Sequence, residues 1–366
     1  MIRTLRDALR SRPRATALVS RPIVGRSPKE TDLTHNTVRQ LRIGYVPGHA
    51  EGNAYVQRTQ EALAELGQVY PLSPSTKSLW RLLKFRPGFF DVIIVNWLEY
   101  KIANPATGRL SWAGVLAYFL QILSFRIFCR RLVYLRHNTY PHHANSRSAD
   151  TLTRIIDLSE RLHSITATHS GHFADKHYLP HPLYQEYPMT AKGNHFIVFG
   201  RVMPYKNIEQ LISHFPVDEQ LIVAGPCDDQ PYFRKLQAVA EGRKVEFIPR
   251  YLSEEEAQCL VGTARGLILS HADNDMIVSG SFFYALSLGT PVIAVRTPFF
   301  NWVQDELDLQ GLTLVGEIES IGTALKQQLH LPAEVILRSA KQYFSLVTVT
   351  ACWDALFAQL QLQDSA

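Results

Sequence analysis

The sequence predicts an α/β protein of two doubly wound domains facing each other across a cleft. Three observations carry this expectation. After residue 41, strand-like and helix-like segments alternate to the end of the chain in two successive series. Several strand segments are continuous apolar runs, such as "DVIIVNW" at 91–97, as expected of parallel strands covered on both faces. Between the two series lies "YQEYPMTAKGN", residues 184–194, a polar stretch with Pro and Gly that marks a boundary. A length of 366 residues suits two domains. The expected division is a basic, partly disordered leader over 1–40, a first domain over 41–187 and a second over 188–345. A C-terminal helix over 346–366 is expected to pack back on the first domain.

The first series opens with "LRIGYV" (41–46), a β-rich run ended by the turn-forming "PGHAEGN". "YVQRTQEALAEL" (55–66) has helical spacing, and "QVYPL" is a short strand. After the 91–97 strand comes "WAGVLAYFLQILSFRIF" (112–128), an apolar helix interrupted by Gln121, Ser124 and Arg126. A membrane span needs about 20 predominantly apolar residues, so a buried or interfacial helix is expected. "RLVYLRHN" (131–138), "SITAT" (164–168) and "KHYLPHP" (176–182) complete this half. The strands of the second series are "HFIVFG" (195–200), "QLIVAG" (220–225), "KVEFIP" (244–249), "GLILS" (266–270) and "TPVIAV" (290–295). Among the helices between them, "SEEEAQCLVGTA" opens on Ser253 and Glu256, spaced as a capping box.

The net charge of +5 is localised. Residues 1–41 hold nine Lys and Arg against three acids, a surplus of six, so the remainder carries about −1. A basic leader without interleaved basic and aromatic surface motifs elsewhere argues against a nucleic-acid partner. The leader lacks the apolar core of a secretory signal. It reads as a solvated tail or as a contact with anionic membrane, worth about 1 kcal/mol per basic residue near the surface. Cys129, Cys227, Cys259 and Cys352 are scattered without a CxxC pair, which suits a reducing cytoplasm and argues against a zinc site or a disulfide framework.

Ligands of open α/β sheets bind beyond the carboxyl ends of the strands, which makes strand-end residues the site candidates. In "FGRVMPYKN" (199–207) a strand runs into Gly200 and Arg201, and Lys206 stands where a helix begins. Oriented amides, a bidentate cation and a point charge suit a diphosphate; an ordinary solvated basic loop is the plainer alternative. "VSGS" (278–281) precedes the helical run "FFYALSL". Its small residues let amides approach a phosphate, or Ser279 or Ser281 simply caps the helix. Glu99 and His137 lie near the ends of apolar strands and are the candidates for a general base. His142 and His143 read as exposed loop residues, and His169 and His181 lie near strand ends.

These stretches resemble a known family. "GRVMPYKNIEQLI" is similar to the Gly-Arg-x4-Lys-(Gly/Asn)-x3-Leu-Ile motif of GT-B glycosyltransferases of the family 4 type, and "FFYALSLGTPVIA" to their helix–Gly-x-Pro-Val-Ile segment. "NWLEY" (96–100), "RHNTYPHH" (136–143) and "GNAYVQRTQEAL" resemble bacterial exopolysaccharide mannosyltransferases of the xanthan type. The likeness covers roughly residues 41–330 in order. It implies the GT-B fold, with two Rossmann-like domains, and a hexosyltransferase of bacterial surface or exopolysaccharide synthesis. The implied donor is GDP-mannose, with a UDP-hexose second; the acceptor is a glycan or a polyprenyl-diphosphate-linked oligosaccharide. No cofactor or metal is expected, and the implied location is cytoplasmic, peripheral at the inner face of the plasma membrane.

Carried over position by position, the resemblance assigns Arg201, Lys206, Ser279, Gly280, Ser281 and Tyr284 to donor binding. It assigns Asn53, Tyr55, Trp97 and Asn138 to the acceptor side, and has His137 face the donor sugar. Family 4 carries two glutamates eight positions apart where this chain has Met276 and Tyr284, which points to the inverting, xanthan-type relatives. Two alternatives stand beside this reading: a nucleotide-sugar epimerase of the same architecture, and a degenerate protein that binds sugar nucleotides without catalysis.

Overall fold

In the computed structural model the described residues are 40–50, 53–188, 191–271, 277–327 and 331–362. The basic leader through residue 39 and Met276 lie outside them. The first sheet holds β1 (Leu41–Val46), β2 (Gly67–Pro71), β3 (Phe90–Asn96), β4 (Cys129–Arg136), β5 (Ile165–Thr168) and β6 (His177–Tyr178). All are parallel, in the order β2-β1-β3-β4-β5-β6. Every residue of β3 is buried, which explains the apolar run Val92–Val95 at its centre. Helices α1 (Ala54–Ala64), α2 (Trp112–Phe128) and α3 (Ser146–Glu160) provide crossovers.

The second sheet is also parallel, in the order β12-β11-β10-β7-β8-β9. Its strands are β7 (His195–Phe199), β8 (Gln220–Ala224), β9 (Val245–Ile248), β10 (Gly266–Leu269), β11 (Val292–Val295) and β12 (Leu312–Val315). Helices α4 (Ile208–His214), α5 (Gln230–Val239), α6 (Glu254–Gly262), α7 (Gly280–Ser287), α8 (Pro298–Leu307) and α9 (Ile321–Gln327) accompany it. Strand β12 has no counterpart among the expected strands. It is a four-residue edge strand with only Val315 fully buried, too short and too mixed to stand out in the sequence. The capping box of α6 forms as its spacing predicts: Ser253 Oγ accepts from Glu256 N, and Glu256 accepts from Ser253 N.

Strand order reverses between β1 and β3 in the first sheet and between β7 and β10 in the second. Neighbouring connections leave in opposite directions there, so a crevice opens at the carboxyl ends of those strands. Helix α10 (Ala333–Phe344) packs on the second domain through Ile336, Ala340 and Phe344. Helix α11 (Leu346–Gln359) returns to the first, where Val349, Trp353, Leu356 and Phe357 join Ile43, Tyr45 and Val56 in one core. Leu183 N donates to Phe344 O at 2.9 Å, tying together the two chain segments that cross between domains.

Helix α2 is apolar on all sides but only partly covered. Tyr118, Gln121, Ile122 and Phe125 are buried, while Trp112, Leu116, Leu120, Leu123 and Ile127 are exposed. Among the described residues no helix is long and apolar enough to cross a membrane.

Candidate functional site

At the end of β7, Gly200 takes a φ of +97°, which side-chain-bearing residues rarely adopt. A Cβ there would stand 3.1 Å from Ser281 Oγ and 3.5 Å from Lys206 Nζ. Glycine thus keeps open the space between the ammonium and the start of α7. Lys206 ends a single 3-10 turn, Pro204–Lys206, whose carbonyl at Lys206 accepts from Ser270 Oγ at 2.6 Å. That bond fixes the turn to the end of β10.

Ser281 Oγ donates to Phe199 O at 2.8 Å, so it ties α7 to β7 rather than capping the helix. Ser279 occupies the cap position without a capping bond. Among the described residues the first amides of α7 therefore have no capping side chain, and a helix start in that state attracts anions.

The two cations differ in setting. Lys206 is half-buried and has no carboxylate partner among the described residues; burial first, and the Arg201 charge second, lower its pKa to about 8. Arg201 is exposed at the rim, where its guanidinium pairs with Asp228 and donates to the Tyr251 hydroxyl at 2.6 Å.

On the first-domain side, His137 follows β4. Asn96 Nδ2 donates to Val46 O at 2.8 Å, which turns Asn96 Oδ1 toward His137 Nε2, 2.9 Å away. Nε2 accordingly carries the hydrogen and Nδ1 the lone pair. The Trp97 ring stacks on His137 at 4.4 Å from a left-handed backbone, φ 53°.

Behind His137 lie Tyr55, His169 and His181, all buried. His169 Nδ1 donates to Leu179 O at 2.8 Å, so its Nε2 accepts from the Tyr55 hydroxyl at 2.9 Å. His181 donates to Pro182 O and stacks at 4.1 Å on Phe283 of α7, linking the histidine cluster to the second domain. Burial is the largest cause that holds the pKa of His169 down to about 4 and those of His137 and His181 well below the ordinary value. All three are neutral imidazoles at pH 7.

Between the two sides is a cavity of about 230 Å³. Of the residues singled out in the sequence, His137 and Asn138 line it from one domain, and Arg201, Lys206, Ser279, Gly280 and Ser281 from the other. The structure adds His271 and Tyr205. His271 follows β10 in "ILSHADN", so the strand-end rule that pointed to His137 also applied to it. His142, expected as an exposed loop residue, is exposed but faces the cleft with its ring parallel to that of Tyr205. Among the described residues no group of three or more His, Cys, Asp or Glu is placed to hold a metal ion.

The remaining expectations fall elsewhere. Glu99 is not at the cleft surface: it lies fully buried in the 3-10 turn after β3, and neither carboxylate oxygen has a hydrogen-bond partner among the described residues. Burial pushes its pKa up to about 7, against smaller opposing effects of its own backbone amide and of Tyr134, Arg136 and Asn138 nearby. Tyr284 is also off the cavity, with its hydroxyl donating to Glu254 Oε1 at 2.9 Å and its ring against Phe199 and Tyr184. Tyr55 and Trp97 back His137 instead of lining the cavity. Asn53 accepts from Tyr55 N as the cap of α1 and borders a separate hollow with His49 and Glu254.

The raised pKa of Glu99 has a stability consequence. A carboxyl that is easier to protonate in the folded state stabilises the fold below about pH 4.5 and loses that contribution as pH rises through 7. Glu99→Gln should therefore be more stable than the native protein by about 1–3 kcal/mol at pH 8, with the difference vanishing near pH 5. Urea unfolding at the two pH values measures it, and equal stability at pH 8 would show the carboxylate to be solvated.

No protein-family model matches this chain, and no curated protein matches it by sequence. Its fold does match solved structures. AviGT4, a glycosyltransferase involved in avilamycin A biosynthesis, superposes with a TM-score of 0.56 and 18% identity over 89% of this chain and 99% of its own. HepE of Anabaena, in complex with UDP and glucose, gives 0.61 and 14% over 88% and 100%. Sucrose-phosphate synthase of Thermosynechococcus elongatus gives 0.62 and 14% over 88% and 99%. Two parallel six-stranded sheets with interleaved helices are the GT-B architecture of these structures.

Proposed function

We propose that the protein is a glycosyltransferase that moves a hexose from a nucleotide-diphosphate sugar to a glycan acceptor. The observation that carries this reading is the convergence on one cavity of an ammonium and a helix start that have no carboxylate partner and no side-chain cap among the described residues and, opposite them, a neutral histidine. In the reaction the bond from sugar C1 to the diphosphate oxygen breaks, and a bond from the acceptor oxygen to C1 forms. Negative charge grows on the diphosphate, where Lys206 and the first amides of α7 stabilise it. The acceptor hydroxyl loses its proton. Of the two candidate bases, His137 is supported over Glu99 because it borders the cavity and holds its lone pair on Nδ1.

HepE has also been solved with UDP-glucose, which supports a UDP-hexose as donor beside the GDP-mannose implied by the motifs. A polyprenyl-linked acceptor, a cytoplasmic location and inversion at C1 belong to the same proposal. For inversion the support is Tyr284, which stands in the place of a glutamate and bonds Glu254.

Thermal unfolding with UDP, GDP, UDP-glucose and GDP-mannose tests the donor. A ligand that binds only the native state adds about 2.7 kcal/mol at one hundred times its Kd. One nucleotide series should raise Tm and the other should not. A Tm unmoved by all four would remove nucleotide-sugar binding from consideration.

A further inference from the structure

We propose that the face formed by α2 and the 3-10 helix Thr76–Lys84 docks the protein on an anionic lipid surface. This face lies outside the cavity, and its test reads lipid binding rather than sugar transfer. Trp112, Leu116, Leu120, Leu123 and Ile127 recur at helical spacing along α2 on the side away from the core, with Trp112 73% exposed. Beside α2, the 3-10 helix sends Leu79 and Leu82 into the same core as Tyr118 and Ile122. It leaves Trp80 and Leu83 in solvent, the latter 76% exposed. Gln121 Nε2 donates to Ser73 O at 3.5 Å, and Gly88 N donates to Ile127 O at 2.9 Å, so the two segments lie side by side. An apolar patch of this extent marks an interaction surface.

Charge selects the occupant. Lys77, Arg81, Lys84 and Arg86 are exposed on or just beyond the 3-10 helix, and Arg126 is exposed on α2. From residue 72 to residue 149 the only acids are Asp91 and Glu99. Asp91 is buried between Arg42 and Arg130, and Glu99 is wholly buried. The stretch therefore shows solvent apolar and basic side chains and no acidic ones. Tryptophan rings, aliphatic side chains and a basic rim suit the headgroup region of an anionic bilayer. A second copy of the chain would set the same basic residues against one another across a twofold interface, which like-charge repulsion opposes.

Orientation follows from α2. Its first turn packs on the backbone of Lys101, just past the carboxyl end of β3, so the Trp112 end of the patch is the end nearest the cavity.

Tryptophan fluorescence of the full-length chain tests the proposal, with phosphatidylcholine vesicles carrying or lacking brominated phosphatidylglycerol. The other tryptophans, Trp97, Trp302 and Trp353, lie outside this face, and the leader contains none, so quenching identifies the contact. Binding and quenching are expected only with the anionic lipid. Trp80→Phe/Trp112→Phe should bind and lose most of the quenching. Lys77→Gln/Arg81→Gln/Lys84→Gln should weaken partitioning roughly a hundredfold.

No binding to the anionic vesicles overturns the proposal, and so does equal binding to phosphatidylcholine alone. Quenching that survives loss of both tryptophans moves the contact to another surface and also overturns it. A dimer in sedimentation that Leu120→Asp dissociates would give the face to a second copy and overturn the lipid contact as well.

Discussion

Lys206→Ala should lower kcat/KM for sugar transfer about 30- to 1000-fold, the effect of losing about 2–4 kcal/mol of charge stabilisation in the transition state. Stability should not fall. The ammonium is half-buried without a carboxylate partner among the described residues, and its lowered pKa means that the folded protein already disfavours its charge. Because that pKa is about 8, the donor KM of the native protein should rise as pH passes 8 and the ammonium is neutralised. Arg201→Ala should cost less than Lys206→Ala, since an exposed cation at the rim that pairs with Asp228 is screened by solvent. Steady-state kinetics at saturating acceptor measures both variants. Activity of Lys206→Ala within about threefold of native would remove Lys206 from the phosphate site.

Acid should unfold the protein steeply between pH 6 and pH 4. His137, His169 and His181 are neutral in the fold, and each takes up a proton on unfolding once pH is below its ordinary value of 6.5. Their folded pKa values are depressed, so the stability they confer is complete above pH 6.5 and is lost as pH falls. Each group contributes about 1.36 kcal/mol per pH unit, so the cluster gives a slope of about 4 kcal/mol per unit. Glu99 opposes this with a single group between pH 7 and 4.5 and offsets about a third of the slope. A stability at the lower end of the domain range of about 5–15 kcal/mol is then exhausted within about two pH units. Circular dichroism melts from pH 7 to pH 4 read the effect. In His169→Gln the proton uptake on unfolding should drop by about one. A Tm that stays flat down to pH 4.5 would mean that the cluster is hydrated and titrates normally.

Much of the fold was legible because burial on both faces leaves a plain mark on a parallel strand. β3 is apolar from Val92 to Val95 and β10 throughout, and their sequences say so. β12 left no such mark, since an edge strand of mixed burial carries half the apolar demand. The second-domain half of the site was legible for a similar local reason: Gly200, Lys206 and the small residues at the start of α7 are close in sequence to the strand ends that position them.

Glu99 and His137 show the limit of that reasoning. Both lie near the ends of apolar strands, and residue type and spacing rank them alike. Only the fold separates them. Glu99 turns into a 3-10 helix that α2 covers, whereas His137 is held at the cavity by an amide whose own partner is Val46, fifty residues upstream. Tyr284 follows the same pattern, drawn off the cavity by Glu254, whereas Arg201 stays at the cavity rim, where Asp228 pairs with it.

The sequence by itself determined the two parallel sheets and the loops that meet at the cleft. Each of these follows from apolar periodicity and turn chemistry over a few residues. Tertiary structure decided which strand-end side chains face the cavity, which histidines are stripped of water, and which side of α2 remains uncovered. Those outcomes depend on neighbours tens to hundreds of residues away, because desolvation and hydrogen-bond pairing are set by what packs against a group and not by what precedes it in the chain.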